Sequence, residues 1–550
     1  MSRRDEVIVG VVLSGSTTVA ARVQLTLEGE RRVREGTIVL IKDRRSSARI
    51  LARVESIEPV SEAHEAGDLW TELRRLGRLP AAVEEGFRTY YVAETSIIGI
   101  AAGGGSIAEP DFPPTPGSPV LMPSGDQLAA LLGFSDRPGI VEFGELIGYR
   151  GVGLPLDVEN ITMHLGVFGE TGSGKSYAVG YLIEKLATVP LGGGLYGALP
   201  ALVVDANGDY LDYYAEYSQG KRVGKYELVT RFVFPNSRAR YNPYTEPIVI
   251  DLEGFTAREI AEFIMTYRAG GVELNELQVS ALERAIKELE EVYTKTELFL
   301  DKVGALRQAL EDLVSEKIVH HQTARAVMSA VEKFRADVVE GLRLVSKRPT
   351  LNEGFVDRIT EKPALTILDF SAEGAPGVPL PIKQLVVAYL ARLLYRKFTE
   401  YKMSGKDRYM VLVLEEAQNY APNPRTYPVP WSLARDYLAL IATQGRKFGI
   451  CLVLVSQRPA FVDPVVLSML NTMIVFRLAP EDVSFILRAS GGLPRVLESR
   501  LPRLPRGTAV VMGQMNALGQ PVMIRVGRRA VSHVMGRTKV VEYLRGTARR

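Results

Sequence analysis

The clearest chemistry in this sequence lies in eight residues, Gly169-Glu-Thr-Gly-Ser-Gly-Lys-Ser176. They match the pattern G-x-x-x-x-G-K-[ST] and stand where it needs to stand, after a strand-like run and before a helical one. Its glycines let successive backbone N–H groups curl around phosphates, and the following helix adds the positive end of its dipole. Gly169, Glu170, Thr171, Gly172, Ser173, Gly174, Lys175, Ser176 and the next residue, Tyr177, are therefore the candidate nucleotide contacts. Lys175 is expected to neutralise the outer phosphates, and the Ser176 hydroxyl to ligate Mg²⁺. ATP with Mg²⁺ is the expected ligand pair.

Four further groups sit near the ends of predicted strands or the turns that join them. Glu415 and Glu416 follow the apolar run Met410 to Leu414, at the carboxyl end where α/β sheets bind ligands. Glu415 is expected to hold Mg²⁺ and Glu416 to polarise the attacking water, unless the pair only opens a solvated helix. Gln457 ends the run Ile450 to Val455 and suits an amide that senses the terminal phosphate, or else a turn cap. Asp205 opens Asp-Ala-Asn-Gly-Asp-Tyr210 and reads equally as a group near magnesium or as a cap on its own loop. Arg446, in Gln-Gly-Arg-Lys-Phe-Gly449, is either an arginine finger reaching a neighbouring subunit or a basic helix end.

These groups need a scaffold, and the pattern changes along the chain. From Val7 to about Ile100 apolar residues alternate with polar ones, as in Val19, Ala21, Val23, Leu25 and Leu27, and short strands recur at small-barrel spacing. The Gly103–Gly105 run and five prolines between Pro110 and Pro119 then predict a linker. Beyond it, Ile161 to Phe168, Ala201 to Val204, Ala364 to Leu368, Met410 to Leu414, Ile450 to Val455 and Met473 to Phe476 predict buried strands alternating with helices, hence a parallel sheet. One block interrupts them: Thr256 and Glu259 form a capping-box pattern, and Leu282, Ile286, Leu289 and Tyr293, then Val327, Val331 and Phe334, share helical faces. The expected division is a barrel over 1–105, a linker and lead-in over 106–150, an ATPase core over 151–254 and 348–530, a helical insertion over 255–347 and an extension over 531–550.

The 550 residues are 46% apolar and 24% charged, the balance of a globular protein of several domains. A net charge of +3 excludes a wholly basic nucleic-acid coat, so any such contact is local. One cysteine, Cys451, allows no internal disulfide, and a reducing cytoplasm is expected. The opening MSRRDEVIVGVVLSG lacks a cleavage-site pattern, no apolar run is long enough for a bilayer, and no membrane partner is expected.

The phosphate loop, Val-Asp-Ala-Asn-Gly-Asp-Tyr210, Leu-Glu-Glu-Ala-Gln-Asn419 and Gly-Arg-Lys-Phe-Gly449 together resemble the HerA family of DNA translocases, as do Phe112-Pro-Pro-Thr-Pro-Gly-Ser-Pro119 and Ser456-Gln-Arg-Pro459. The resemblance runs over nearly the whole chain. It implies an α/β fold: a RecA-like P-loop ATPase with a parallel-rich sheet, an amino-terminal HAS-type barrel and a helical insertion. It also implies a homo-hexameric ring, duplex DNA in its channel and a NurA-like nuclease partner in recombinational repair. Gln418 departs from the family's usual histidine, and Thr443-Gln444 from its Arg-Glu. A VirB4-type conjugation or secretion ATPase and a nucleotide-switched scaffold remain as alternatives, and the paired glutamates speak against the scaffold.

Overall fold

The computed structural model describes residues 7–61, 75–77, 89–101, 107–132, 137–239, 242–269 and 275–531. The Gly103–Gly105 run and the extension beyond 531 lie outside them. The chain divides into two compact units, one from Met1–Asp157, Pro190–Leu195 and Leu493–Gly527, the other from Val158–Val189, Tyr196–Gly492 and Arg528–Arg550.

The first unit contains a closed six-stranded antiparallel barrel. Its strands are β1 (Val7–Val12), β2 (Ala20–Leu25), β3 (Ile38–Lys42), β4 (Arg49–Ser61) and β5 (Thr89–Ala101); the short β6 (Ile107–Ala108) lines up beside β5, and β7 (Pro119–Met122) supplies the sixth wall. β7 lies between β1 and β3, and a β2–β5 pairing closes the circle. Val9, Ala21, Val23, Ile41, Ala52 and Val120 fill the interior. Two departures from the sequence pattern stand out. The alternation does not extend to Leu27, because Thr26 accepts the Gly29 amide at 3.1 Å and starts a helix, Leu27–Arg32, leaving Leu27 exposed. The Pro-rich segment read as a linker also contributes β7: Pro119 can stand first in a strand, where its missing N–H costs least.

Short strands β8 (Ile140–Phe143), β9 (Glu145–Leu146), β10 (Leu154–Asp157), β12 (Val189–Gly192) and β13 (Leu195–Gly197) also occur, and the second unit is built on parallel strands β11 (Leu165–Phe168), β14 (Ala201–Asp205), β15 (Leu228–Val233), β16 (Thr245–Pro247), β17 (Ala364–Asp369), β18 (Met410–Leu414), β19 (Ile450–Ser456) and β20 (Thr472–Val475). Their order is β16-β15-β17-β14-β18-β19-β11-β20, and every neighbouring pair is parallel. Apart from Glu246 and Pro247 of the edge strand β16 and Leu228 at the start of β15, the strand residues are buried, as expected of a sheet covered on both faces. The expected run from Ile161 begins instead as a 3₁₀ turn, Val158–Met163. Between β16 and β17 stand the helices Ala257–Ala269, Glu276–Leu289, Lys295–Leu300, Val303–Ser315 and His321–Phe334. Thr256 and Glu259 form the reciprocal cap, with Glu259 N to Thr256 Oγ1 at 3.2 Å and Thr256 N to Glu259 Oε2 at 2.7 Å. No helix among the described residues is long and apolar enough to cross a membrane.

His164 fastens β11 to its neighbours. Its Nδ1 accepts the Leu452 amide of β19 at 3.0 Å, so Nε2 carries the proton and donates to Ala442 O at 2.9 Å. Burial holds the imidazole pKa down to about 4, against the pull of the Ala442 carbonyl. Between that value and the ordinary 6.5 the unfolded chain binds more protons than the folded one, so stability rises with pH across this window, by about 3 kcal/mol, and is lost as the pH falls through it. His164 has φ of 63°, a conformation asparagine tolerates. His164→Asn is therefore expected to be less stable than wild type at neutral pH, with the gap closing as the pH falls to about 4. Denaturant unfolding at several pH values checks this; a gap independent of pH would show that the imidazole is not held neutral.

Candidate nucleotide-hydrolysis site

The parallel register brings the carboxyl ends of β11, β14, β18 and β19 to one edge of the sheet. Phe168 pairs with Ser456, and Val204 with Leu414. The phosphate loop leaves β11 there and leads into the helix Lys175–Leu186. Gly169, Gly172 and Gly174 have φ of 155°, 75° and 120°. A Cβ on Gly169 would stand 2.6 Å from the Phe476 Cβ, so glycine is required at that crossing. Lys175 is buried, and its Nζ donates to the carbonyls of Gly169 at 2.6 Å and Glu170 at 3.1 Å. Burial pulls the ammonium pKa down, against Glu415, Glu416, Asp209 and Glu170. Glu170 is pinned from outside: its amide donates to Arg477 O at 2.8 Å, and its carboxylate accepts Arg477 Nε at 2.9 Å.

Glu416 turns the chain at the tip of β18 with φ 51° and ψ 50°, a left-handed conformation that costs a non-glycine residue about 1–3 kcal/mol. Two amides hold its carboxylate. Gln457 Nε2 donates to Oε1 at 2.7 Å, and Gln418 Nε2 to Oε2 at 2.5 Å. Gln457 in turn accepts the Thr171 hydroxyl of the phosphate loop at 2.7 Å. The structure thus joins Glu416, Gln457 and the phosphate loop. Gln418, Ser456 and Tyr210 were not singled out from sequence as site residues; each stands within two residues of, or at the end of, a motif on this edge.

Glu415 is buried beside Glu416 and accepts a hydrogen bond from the Tyr210 hydroxyl. Burial pushes its pKa up to about 8 against that bond, with Asp205, Asp209 and Glu416 adding to the rise. Asp205 turns inward. Its Oδ1 accepts from the amides of Asn207, Gly208 and Asp209 at 3.3, 2.8 and 3.0 Å, and its Oδ2 from Tyr210 N at 2.9 Å. Four bonds to its own loop make Asp205 a cap for the β14 tip, with both oxygens engaged by backbone. Burial, with Asp209 and Asp369, raises its pKa to about 7 against those amides.

Tyr177 accepts the Arg529 amide on its hydroxyl at 2.9 Å, which ties the phosphate-loop helix to the chain's last described segment. Arg446 is exposed in the last turn of the helix Ala434–Phe448, just before β19 begins. The seven residues of β19 separate that end from the phosphate-loop edge, roughly 20 Å at 3.3 Å per residue. It is not brought to its own chain's site.

A Mg²⁺–nucleotide fits this arrangement. Glu415, Glu416 and Asp209 stand around the buried Lys175, and a hard divalent cation among them would favour the ionised form of Glu415, which burial alone disfavours. Among the described residues no group of three or more His, Cys, Asp or Glu could hold a metal by itself. Mg²⁺ in nucleotide sites needs only one or two protein oxygens beside the phosphates, here Ser176 and Glu415.

The sequence model described as "Helicase HerA, central domain" matches residues 141–394. The DNA double-strand break repair helicase HerA of Sulfurisphaera tokodaii is 26% identical over 534 residues, covering 95% of this chain and 93% of that one. The protein of the same name from Sulfolobus acidocaldarius is 26% identical over 432 residues, covering 77% and 76%. Residues 141–394 thus match the HerA central domain, and the similarity to HerA helicases extends over nearly the whole chain. With this site and these relatives the chain is an ATP-hydrolysing enzyme of the helicase or translocase class. Among solved structures, the bacterial conjugative coupling protein TrwB in its unbound monoclinic form is 17% identical with a TM-score of 0.48, covering 75% of this chain and 93% of that one.

Lys175→Ala is expected to abolish turnover, whereas Glu416→Gln should keep nucleotide binding and lower turnover by about a hundredfold or more. ATP binding and steady-state phosphate release check both; release near wild type in Glu416→Gln would remove that carboxylate from hydrolysis.

Proposed function

We propose that this chain is an ATP-driven translocase of the HerA family acting on duplex DNA, assembled as a homo-hexameric ring and working with a NurA-like nuclease in end resection. The observation that carries the motor reading is the bridge from the phosphate loop through Thr171 and Gln457 to Glu416, which ties nucleotide contact to the group that would activate water. Lys175 neutralises the outer phosphates, and Gln457 reports on the terminal one. Mg²⁺, held by Ser176 and Glu415, supplies charge neutralisation at the phosphates. DNA as the substrate is supported by the relatives' names, which describe helicases of double-strand break repair. The barrel of the first unit is the docking platform for the nuclease, with residues 255–347 as an insertion in the ATPase core. The protein works in a reducing cytoplasm, in keeping with one buried, unpaired Cys451.

Duplex DNA is expected to stimulate ATP hydrolysis, and the stimulation to fall steeply as salt rises, because lysines and arginines release counterions from DNA phosphates. A titration of hydrolysis rate with duplex and single-stranded DNA at several salt concentrations checks this. No stimulation at low salt would turn the assignment toward a secretion ATPase.

Arg446 serves the neighbouring subunit in this reading. Arg446→Ala is expected to leave nucleotide binding intact and lower turnover by about three to five powers of ten, with lysine a poor substitute. Rings mixing Arg446→Ala with Glu416→Gln subunits form some interfaces with both native residues, so activity should recover. Absence of recovery in rings shown to be mixed would assign Arg446 to its own chain or to structure.

A further inference from the structure

The carboxylate of Glu416 is tied on both oxygens, and the two ties lead to different places. Gln457 connects Oε1 to Thr171 of the phosphate loop. Gln418 connects Oε2 to Ser456 at the tip of β19, whose hydroxyl donates to Gln418 Oε1 at 2.8 Å. An ionised carboxylate only accepts, so each amide must turn its NH₂ toward Glu416 and needs a donor for its own oxygen. The Ser456 oxygen accepts the Arg458 amide at 3.2 Å, and of the two acceptors within reach of its proton, Arg458 O at 3.1 Å and Gln418 Oε1 at 2.8 Å, the Gln418 oxygen is the nearer. Ser456 is wholly buried and Gln418 is 9% exposed, so water competes little with either bond.

We propose that Gln418 is the positioning residue that fixes Glu416 for hydrolysis, an inference that rests on the reading of Glu416 as the group that takes the proton of the attacking water. The asymmetry of the two ties gives each amide its task. Gln457 reaches a loop that must rearrange around phosphates, so its bond to Glu416 is exchanged during turnover. Gln418 reaches only the framework of the sheet, and its bond persists. A carboxylate on a left-handed turn, held by one amide alone, would swing about its side-chain torsions; the second amide keeps one oxygen fixed while the other remains available to water. A barrier that depends on alignment within a fraction of an ångström is sensitive to that loss.

The test compares full-length variants in nucleotide affinity, KM and kcat for ATP. Gln418→Leu, similar in volume, is expected to lower kcat about ten- to hundredfold while ATP affinity stays within about threefold. Gln418→His should recover most of kcat, since one imidazole nitrogen can donate to Glu416 while the other accepts from Ser456. In a Glu416→Gln background Gln418→Leu should change the residual rate less than about twofold, because a residue that acts through Glu416 has nothing left to position. If Gln418→Leu fails to fold, Gln418→Glu provides the same test, placing a like charge beside Glu416 without a change of shape.

A kcat near wild type in Gln418→Leu or Gln418→Glu, with Glu416→Gln inactive, would overturn the proposal and leave the role of Glu416 standing. So would an equal loss from Gln418→Leu in both backgrounds, which marks a structural effect. A Glu416→Gln variant that turns over normally would instead overturn the reading beneath it.

Discussion

A carboxylate accepts hydrogen bonds and cannot donate them, and Glu416 imposes that direction on the whole catalytic edge. With both oxygens accepting, the amides of Gln418 and Gln457 can face it only one way, and their oxygens then require protons from Ser456 and Thr171. Ser456 ends β19, Thr171 lies in the loop after β11, and Glu416 follows β18. The chain of bonds therefore exists only while these three strands keep their parallel register, with Phe168 level with Ser456 and Leu414 with Leu454. A slip of one residue would turn every side chain on the shifted strand to the other face. His164, bonded to β19 and to Ala442, ties the start of β11 into that alignment.

The same edge gathers more carboxyl groups than cations, and burial keeps two of them from ionising readily. Asp205 and Glu415 are buried with pKa values raised to about 7 and about 8, and Asp209 and Glu416 stand close by. Asp205 keeps its place through four backbone amides, and Glu415 through the Tyr210 hydroxyl. A polar loop and a tyrosine thus hold the acidic residues where a helix-capped phosphate site next to a buried lysine already draws a charged ligand. The divalent cation that accompanies a nucleotide would place positive charge beside Glu415, so cation occupancy and ionisation of that group favour each other.

How much of this was legible in sequence depended on the range of the determinant. The phosphate loop is a contiguous pattern whose glycines announce their own backbone requirements, and Glu415, Glu416 and Gln457 stand at the ends of apolar runs that could only be buried strands. The Thr256–Glu259 cap was readable for the same reason. Leu27 was misjudged because Thr26 offers a local cap that outcompetes the alternating pattern. β7 was hidden because its place between β1 and β3 is a pairing across more than 70 residues of sequence, and a proline-rich composition says nothing about partners. Asp205 was ambiguous because a carboxylate before Asn-Gly suits a cap or a ligand equally, and the four amides that meet its oxygens become visible only in the folded loop. Gln418 stood out in sequence only as a departure from the family's usual histidine, because the contact that gives it a role comes from Ser456, 38 residues on.

Electrostatics also sets what one chain can accomplish by itself. Phosphoryl transfer spreads charge over the equatorial oxygens of the moving group, and positive charge at that point lowers the barrier. Of the cations that the described residues bring to this edge, Lys175 is turned onto carbonyls of its own loop. Arg477 is paired with Glu170, and Arg458 with Asp482 and Glu481 while stacking on Phe461. Freeing either arginine would strand a carboxylate, and Asp482 is almost wholly buried, so that cost would be high. Arg446 carries no such debt: it is exposed, but at the far end of β19 from its own site. A guanidinium that is unencumbered yet out of reach of its own site can enter hydrolysis only at another copy of the chain, and this mismatch is the physical argument behind the proposed ring.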